Sequence, residues 1–182
     1  MKVTPLSISD LLLIEPSIFE DDRGFFFESF NEATFQKKIP LSASFVQDNH
    51  SKSHQGVLRG LHYQLPPHAQ GKLVRVLQGE VLDVIVDIRR SSPTFGDHVS
   101  VVLSAENKKQ IWIPEGFAHG FLTLSKTSEF FYKTTTLYNS DSERCILYND
   151  KKLDINWGGI HSFNLSPKDR SGKSFIDAEV FP

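Results

Sequence analysis

The sequence has little of what would anchor a fold covalently or mark a membrane protein. Cys145 is its single cysteine, so no intrachain disulfide can form, which fits a reducing compartment. Lying between Arg144 and Ile146, this thiol is expected to be a small buried apolar residue rather than a nucleophile. The N-terminus offers only the short apolar run Leu11-Leu12-Leu13-Ile14. A signal peptide needs roughly 7–15 apolar residues and a membrane span about 20, so the chain is expected to be soluble and cytoplasmic, with no membrane partner. No charge of one sign dominates: the formal net charge is −2, against the basic excess of nucleic-acid binders. Neither GxGxxG nor GxxxxGK[ST] occurs, so no nucleotide cofactor on a helix N-terminus is indicated. No linker, low-complexity tract or repeat divides residues 1–182, which read as one domain.

What is present is β-forming. Fifteen phenylalanines, β-branched runs and well-spaced Gly, Pro, Asn and Asp favour an all-β fold. The pattern predicts a hairpin of Lys72–Leu77 and Val81–Ile88 turning at Gln78-Gly79-Glu80. In its second arm Leu82, Val84, Val86 and Ile88 share one face, and Val81, Asp83, Ile85 and Asp87 the other. Further strands are predicted at His98–Leu103, Gln110–Ile113, Ala118–Leu124, Glu129–Thr136 and Arg144–Leu147. One helix is predicted near Asn31–Ile39, capped by Asn31, with Phe35 and Ile39 on its apolar stripe. Short strands at this spacing suit a sandwich or barrel. A jelly roll is the preferred reading, although pattern alone does not separate it from another barrel.

The chemistry concentrates in Val57-Leu58-Arg59-Gly60-Leu61-His62-Tyr63-Gln64 and Gly71-Lys72-Leu73-Val74-Arg75. Strict alternation would put Arg59 and Leu61 on one face, and Leu58, Gly60 and His62 on the other. Gly60 leaves room for something bulky to approach the backbone. Two cations and an imidazole in an apolar setting suggest an anionic ligand and proton chemistry. Each residue has a plainer reading. His62 is a core histidine or a general base; Tyr132, in Phe130-Phe131-Tyr132-Lys133, is a core aromatic or a proton donor; Tyr138 packs on the surface or stacks on a ligand. His50, His54, His68, His98 and His161 show no metal-ligand spacing. Pro114-x-Gly116-x-x-His119 resembles the second metal motif of cupins. Where the first motif needs a second histidine, His62-Tyr63-Gln64 supplies an amide, a poor ligand for hard or borderline cations. A metal site is therefore not expected.

Beyond these readings, the chain resembles the dTDP-4-dehydrorhamnose 3,5-epimerase family. The similarity rests on Asp22-Arg23-Gly24-Phe25-Phe26-Phe27-Glu28, Phe45-Val46-Gln47-Asp48-Asn49-His50-Ser51 and Leu58-Arg59-Gly60-Leu61-His62-Tyr63-Gln64. It continues through Gln70-Gly71-Lys72-Leu73-Val74-Arg75, Trp112-Ile113-Pro114-x-Gly116-Phe117-Ala118-His119-Gly120-Phe121 and Tyr132-Lys133-Thr134-Thr135, in the family's order. The resemblance implies an all-β, cupin-type jelly-roll barrel with a few short peripheral helices. It also implies a homodimer that works without metal or organic cofactor on a dTDP-linked 4-keto-6-deoxy sugar, inverting C3 and C5. In that reading His62 is the base, Asp169 in Ser166-Pro167-Lys168-Asp169-Arg170 holds the imidazole, Tyr132 is the proton donor and Lys72 stabilises the enolate. Substrate binding falls to Arg23, Glu28, Gln47, Asp48, Asn49, Arg59, His119, Glu143 and Lys168, with Tyr138 stacking on thymine. Competing readings are a relative acting at C3 or C5 alone, a non-catalytic sugar-nucleotide-binding jelly roll and a metal-dependent cupin oxygenase.

Overall fold

The computed structural model describes residues 1–39, 44–160 and 162–182; His161 lies outside them. In chain order its elements are β1 (Lys2–Pro5), β2 (Leu12–Glu15), β3 (Phe19–Asp21), β4 (Gly24–Phe26), α1 (Glu32–Lys38), β5 (Gln47–His54), β6 (Leu58–Gln64) and β7 (Lys72–Gln78). There follow β8 (Glu80–Asp87), β9 (His98–Ser104), β10 (Gln110–Ile113), β11 (Phe117–Thr123), β12 (Thr127–Thr134), β13 (Glu143–Cys145) and α2 (Pro167–Arg170).

Two antiparallel sheets face each other, one ordered β1-β2-β10-β7-β12-β5 and the other β13-β6-β11-β8-β9; β3 and β4 form a separate ribbon. Strands β5 to β12 thus fall as β5-β12-β7-β10 against β6-β11-β8-β9, the jelly-roll order. The hairpin predicted at Gly79 does not form. β7 pairs with β10 and β12, and β8 with β9 and β11, so Gly79 carries the chain across the sandwich. It does so at φ +75°, where a Cβ would stand 2.0 Å from the Thr127 carbonyl oxygen. An alternating pattern identifies strands but not their partners, and a crossing between sheets reads like a turn within one.

Apolar residues fill three layers. Between the sheets lie Val74, Val76, Ile85, Ile111, Phe121 and Phe130. Outside the second sheet, Val84, Val86 and Ile88 pack under Leu153, Trp157 and Phe175 of the C-terminal segment. Outside the first, Leu73 and Trp112 pack under Phe35 and Ile39. The two faces predicted for β8 therefore both exist, and both are covered. α1 forms where expected: Asn31 Oδ1 accepts from the Thr34 amide at 3.1 Å, and Glu32 and Lys37/Lys38 suit the two ends of the helix dipole. Asn31 is its N-cap as expected, and Ile39 is its C-cap.

Candidate active site

A cavity of about 320 Å³ opens between the sheets, lined by His62, Lys72, His119, Tyr132, Tyr138 and Glu143 among others. Its chemistry depends on an irregularity in β6. Arg59 pairs with Phe121 and His62 with His119, so β6 spends one residue more than β11 between the two pairs. This bulge resets the alternation. Leu58 and Leu61 both enter the outer core, while Arg59 and His62 both line the cavity, which corrects the opposite faces expected for them. A Cβ on Gly60 would meet Gly120 Cα at 2.5 Å and the His119 carbonyl oxygen at 2.8 Å. What this glycine admits is therefore the backbone of β11, not a ligand.

His62 Nε2 lies 2.6 Å from Asp169 Oδ1, across 107 positions of sequence. Asp169 is buried. Its Oδ2 accepts from Ser166 Oγ at 2.6 Å, and its Oδ1 also accepts from the Gly60 amide at 3.3 Å. Burial pushes this carboxyl up, but hydrogen bonds from His62, Ser166 and Gly60 outweigh it and hold the group down at about 2. It is an anion at any working pH, fixing the Nε2–H tautomer of His62 and leaving Nδ1 with the lone pair. Ser166 builds the arm: it caps α2, its Oγ accepting from the Asp169 amide, with Pro167 at the first helical position. The Ser-Pro pair was a readable start signal for a helix that the sequence reading left out.

Lys72, on β7, is buried, and its Nζ donates to the His62 carbonyl oxygen at 3.3 Å. Burial lowers it to about 8, against the upward pull of Asp83 and Glu143. Tyr132, on β12, has its hydroxyl pushed up chiefly by burial, then by Glu143, with Arg59 pulling down. It holds its proton at neutral pH. His62 rises from the second sheet, and Lys72 and Tyr132 from the first, so the imidazole and the phenol reach the cavity from opposite sides.

At the rim, Tyr138 is exposed and its hydroxyl donates to Glu143 Oε2 at 2.7 Å, while Glu143 Oε1 pairs with Lys168. Burial pushes the Glu143 carboxyl up, but Lys168 and Tyr138 hold it below its usual range. Gln47 accepts from the Tyr138 amide at 2.9 Å and donates to Asn49 Oδ1 at 2.9 Å. Arg59 donates from Nε to Ser53 Oγ at 3.1 Å. His119 is buried with Nε2 at 2.9 Å from Asp83 Oδ2, and Asp83 Oδ1 has no hydrogen-bond partner among the described residues. Asp83 was missed as a site residue, although a carboxylate on the inward face of an apolar strand is a signal that it serves a partner.

Of the expected binding residues, Gln47 and Lys168 sit beside the cavity without lining it, and Arg23, Glu28 and Asp48 stand farther outside. Arg23 is exposed on the β3–β4 ribbon and pairs with Asp21. Glu28 is exposed and accepts from Asn31 Nδ2 at 2.9 Å. Asp48 pairs with Lys133 at 2.9 Å; alternation on β5 turns Gln47 and Asn49 one way and Asp48 the other.

The cupin metal position is committed elsewhere. Gln64 Nε2 donates to the carbonyls of His68 and Leu137, and Oε1 accepts from the Asn139 amide. His119 Nε2 is taken by Asp83. Among the described residues, one group gathers three potential metal ligands: His62, Cys145 and Asp169. Cys145 is half-buried rather than fully buried, and burial raises its thiol to about 12.

A profile of the dTDP-4-dehydrorhamnose 3,5-epimerase family matches residues 5–177. The dTDP-4-dehydrorhamnose 3,5-epimerase of Pseudomonas aeruginosa is 58% identical over 182 residues, all of both chains. This chain belongs to the dTDP-4-dehydrorhamnose 3,5-epimerase family. The family's jelly roll is also this chain's. The Legionella pneumophila dTDP-6-deoxy-D-glucose-3,5-epimerase, solved in complex with dTDP-4-keto-L-rhamnose, matches it with a TM-score of 0.95 at 50% identity, over 98% of this chain and 94% of that one. A 3'-monoepimerase from Streptomyces bikiniensis, solved with dTDP-quinovose, gives 0.90 at 32% identity, over 94% and 87%. The family fold thus carries both double and single inversions, and identity rather than shape separates them.

Proposed function

We propose that this chain is a dTDP-4-dehydrorhamnose 3,5-epimerase, inverting C3 and C5 of dTDP-4-keto-6-deoxy-D-glucose to give dTDP-4-keto-L-rhamnose. The observation that carries the mechanism is the approach of His62 and Tyr132 from opposite sheets, with Lys72 in the same cavity and its Nζ on the His62 carbonyl oxygen. Both carbons flank the ketone, so removal of either proton gives an enolate that can be reprotonated on the other face. His62 Nδ1 takes the proton and Asp169 stabilises the imidazolium, the orienting role of the aspartate in a catalytic triad. The Lys72 ammonium faces the developing charge on the C4 oxygen. Tyr132 gives a proton from the opposite side. Acid–base help of this kind is worth about 10²–10⁴ in rate. Arg59 and Lys168 meet the diphosphate, Asn49 and His119 the sugar, and Tyr138 the thymine.

The protein acts as a homodimer. Phe19, Phe25 and Phe26 are 65%, 59% and 71% exposed on the ribbon that carries Arg23, an apolar surface that calls for cover. Seating this ribbon on a second copy brings Arg23 and Glu28 to the other copy's cavity, where a guanidinium fork suits a phosphate.

The test is proton NMR of dTDP-4-keto-6-deoxy-D-glucose with the protein in deuterated water, products being trapped by a downstream reductase. Deuterium at both C3 and C5 with inverted product is the expected result. Exchange at one carbon assigns a single-site epimerase, and binding without exchange refutes catalysis. His62→Ala in the same assay should abolish exchange at both carbons while substrate affinity holds.

A further inference from the structure

Cys145 on β13 stands directly opposite His62 on β6. Its Sγ, a ring nitrogen of His62 and a carboxylate oxygen of Asp169 all lie within 4.8 Å of one another. We propose that these three atoms form a site for a thiophilic divalent cation of the zinc class, and that filling it switches His62 off as a base. The switch rests on the proposed role of His62; the site itself does not.

The donors suit such a cation. Thiolate, imidazole and carboxylate are the usual zinc ligands, at about 2.3, 2.0–2.1 and 2.0–2.2 Å. A tetrahedral ion with those bonds needs its ligands about 3.3–3.6 Å apart, so the imidazole and carboxylate must open from 2.6 Å and the thiol move in, each by an amount on the order of 1 Å. The surroundings permit this. β13 is an edge strand of its sheet, and the hydrogen bond of Sγ among the described residues is a weak one, 3.6 Å to the Ile146 carbonyl oxygen. Asp169 keeps Ser166 on its other oxygen throughout. Cys145 opens onto a surface groove shared with Ser171 and Lys173, which adjoins the substrate cavity across Tyr63 and Glu143. A cation can therefore reach Cys145 from the surface, and water can complete its coordination.

The proton balance makes the site inhibitory. In the free enzyme the Nε2 proton points to Asp169 and Nδ1 holds the lone pair that does the chemistry. A cation on Nε2 sends that proton to Nδ1, and the thiol proton leaves to solvent, so one proton is released per cation bound. Nδ1 is then a donor and has no lone pair for C3–H or C5–H. The negative charge of Asp169 is spent on the metal instead of on an imidazolium.

The test uses chelator-stripped full-length protein and buffered zinc chloride. Zinc should lower kcat and leave KM unchanged, and EDTA should restore the rate. Cys145→Ser should match wild type without metal and need at least about tenfold more free zinc for the same inhibition, because a hydroxyl is a far weaker zinc ligand than a thiolate. Cobalt(II) chloride reads the site independently of activity: a thiolate-to-cobalt charge-transfer band should appear with wild type and be absent from Cys145→Ser. No band, or equal zinc sensitivity of the two proteins, overturns the site. A band with no loss of rate keeps the site and overturns the switch, and with it His62 as the base.

Discussion

Two side chains in the cavity have protonation states set by burial, and each state makes a distinct demand. Tyr132 keeps its proton because its phenolate would be buried beside Glu143. Tyr132→Phe removes only the hydroxyl. Deuterium loss and gain at C3 and C5 should stay within about tenfold of wild type, while inverted product falls by about 10²–10⁴; equal epimerisation would assign the donor elsewhere. Lys72 is pulled the other way, down to about 8 from 10.5. It is a cation below about 8 and neutral above, so epimerisation should fall as pH rises through about 8. Between 8 and 10.5 the unfolded chain binds a proton that the folded chain does not, so this group's contribution to stability rises with pH in that window. Lys72→Met should therefore cost about 10²–10³ in kcat, abolish the alkaline fall in the residual rate, and raise the melting temperature at pH 7, since it removes a buried charge that forms no ion pair among the described residues. A lowered melting temperature would mean that the ammonium is needed to hold the strands.

Elements do the aiming. The bulge in β6 turns Arg59 and His62 to the same side, and Gln64 at the end of that strand ties down the segment bearing Tyr138. Gln64→Ala cuts three hydrogen bonds to backbone groups of neighbouring segments, so the aromatic rim loosens while the base is untouched. KM for substrate should rise several-fold with kcat held within about twofold; steady-state kinetics checks this, and a kcat effect alone would refute it. These devices were only partly legible in the sequence. The spans of β9, β10 and β12, and the helix capped by Asn31, follow from apolar periodicity and came within a residue or two. β5 did not, because Gln47-Asp48-Asn49-His50-Ser51-Lys52-Ser53-His54 is polar throughout, with Asn49, His50 and Ser51 lining the cavity, and carries no apolar alternation. A bulge resets parity without changing composition, so the shared face of Arg59 and His62 was invisible. The pairing of His62 with Asp169 came from family resemblance alone, because no local pattern links residues so far apart.

At the scale of the molecule, two carboxylates tie the sandwich to acid conditions. Asp87 is buried, which raises it, but Arg89, Ser92 and Thr94 hold it at about 2, as the partners of Asp169 hold that group. Both are depressed from 3.8, so their stabilisation is complete above about pH 4 and is lost as pH falls towards 2, at about 2 kcal/mol each. Urea midpoints should drop between pH 5 and pH 3, and Asp169→Asn should show a smaller drop; an equal drop would place the loss elsewhere. Assembly provides the second test. Sedimentation equilibrium should give twice the 20.6 kDa chain mass, and Phe26→Asp should yield monomers with a raised KM. A dimeric Phe26→Asp variant with unchanged kinetics would remove the ribbon from the interface.

The distance along the chain between His62 and its carboxylate also has a meaning in time. A ribosome adding 5–20 residues per second produces the histidine about 5–20 s before the aspartate 107 positions later exists. For that interval the emerging polypeptide carries an imidazole with no anion behind it. The carboxylate that orients His62 can reach it only after those further 107 positions have been made.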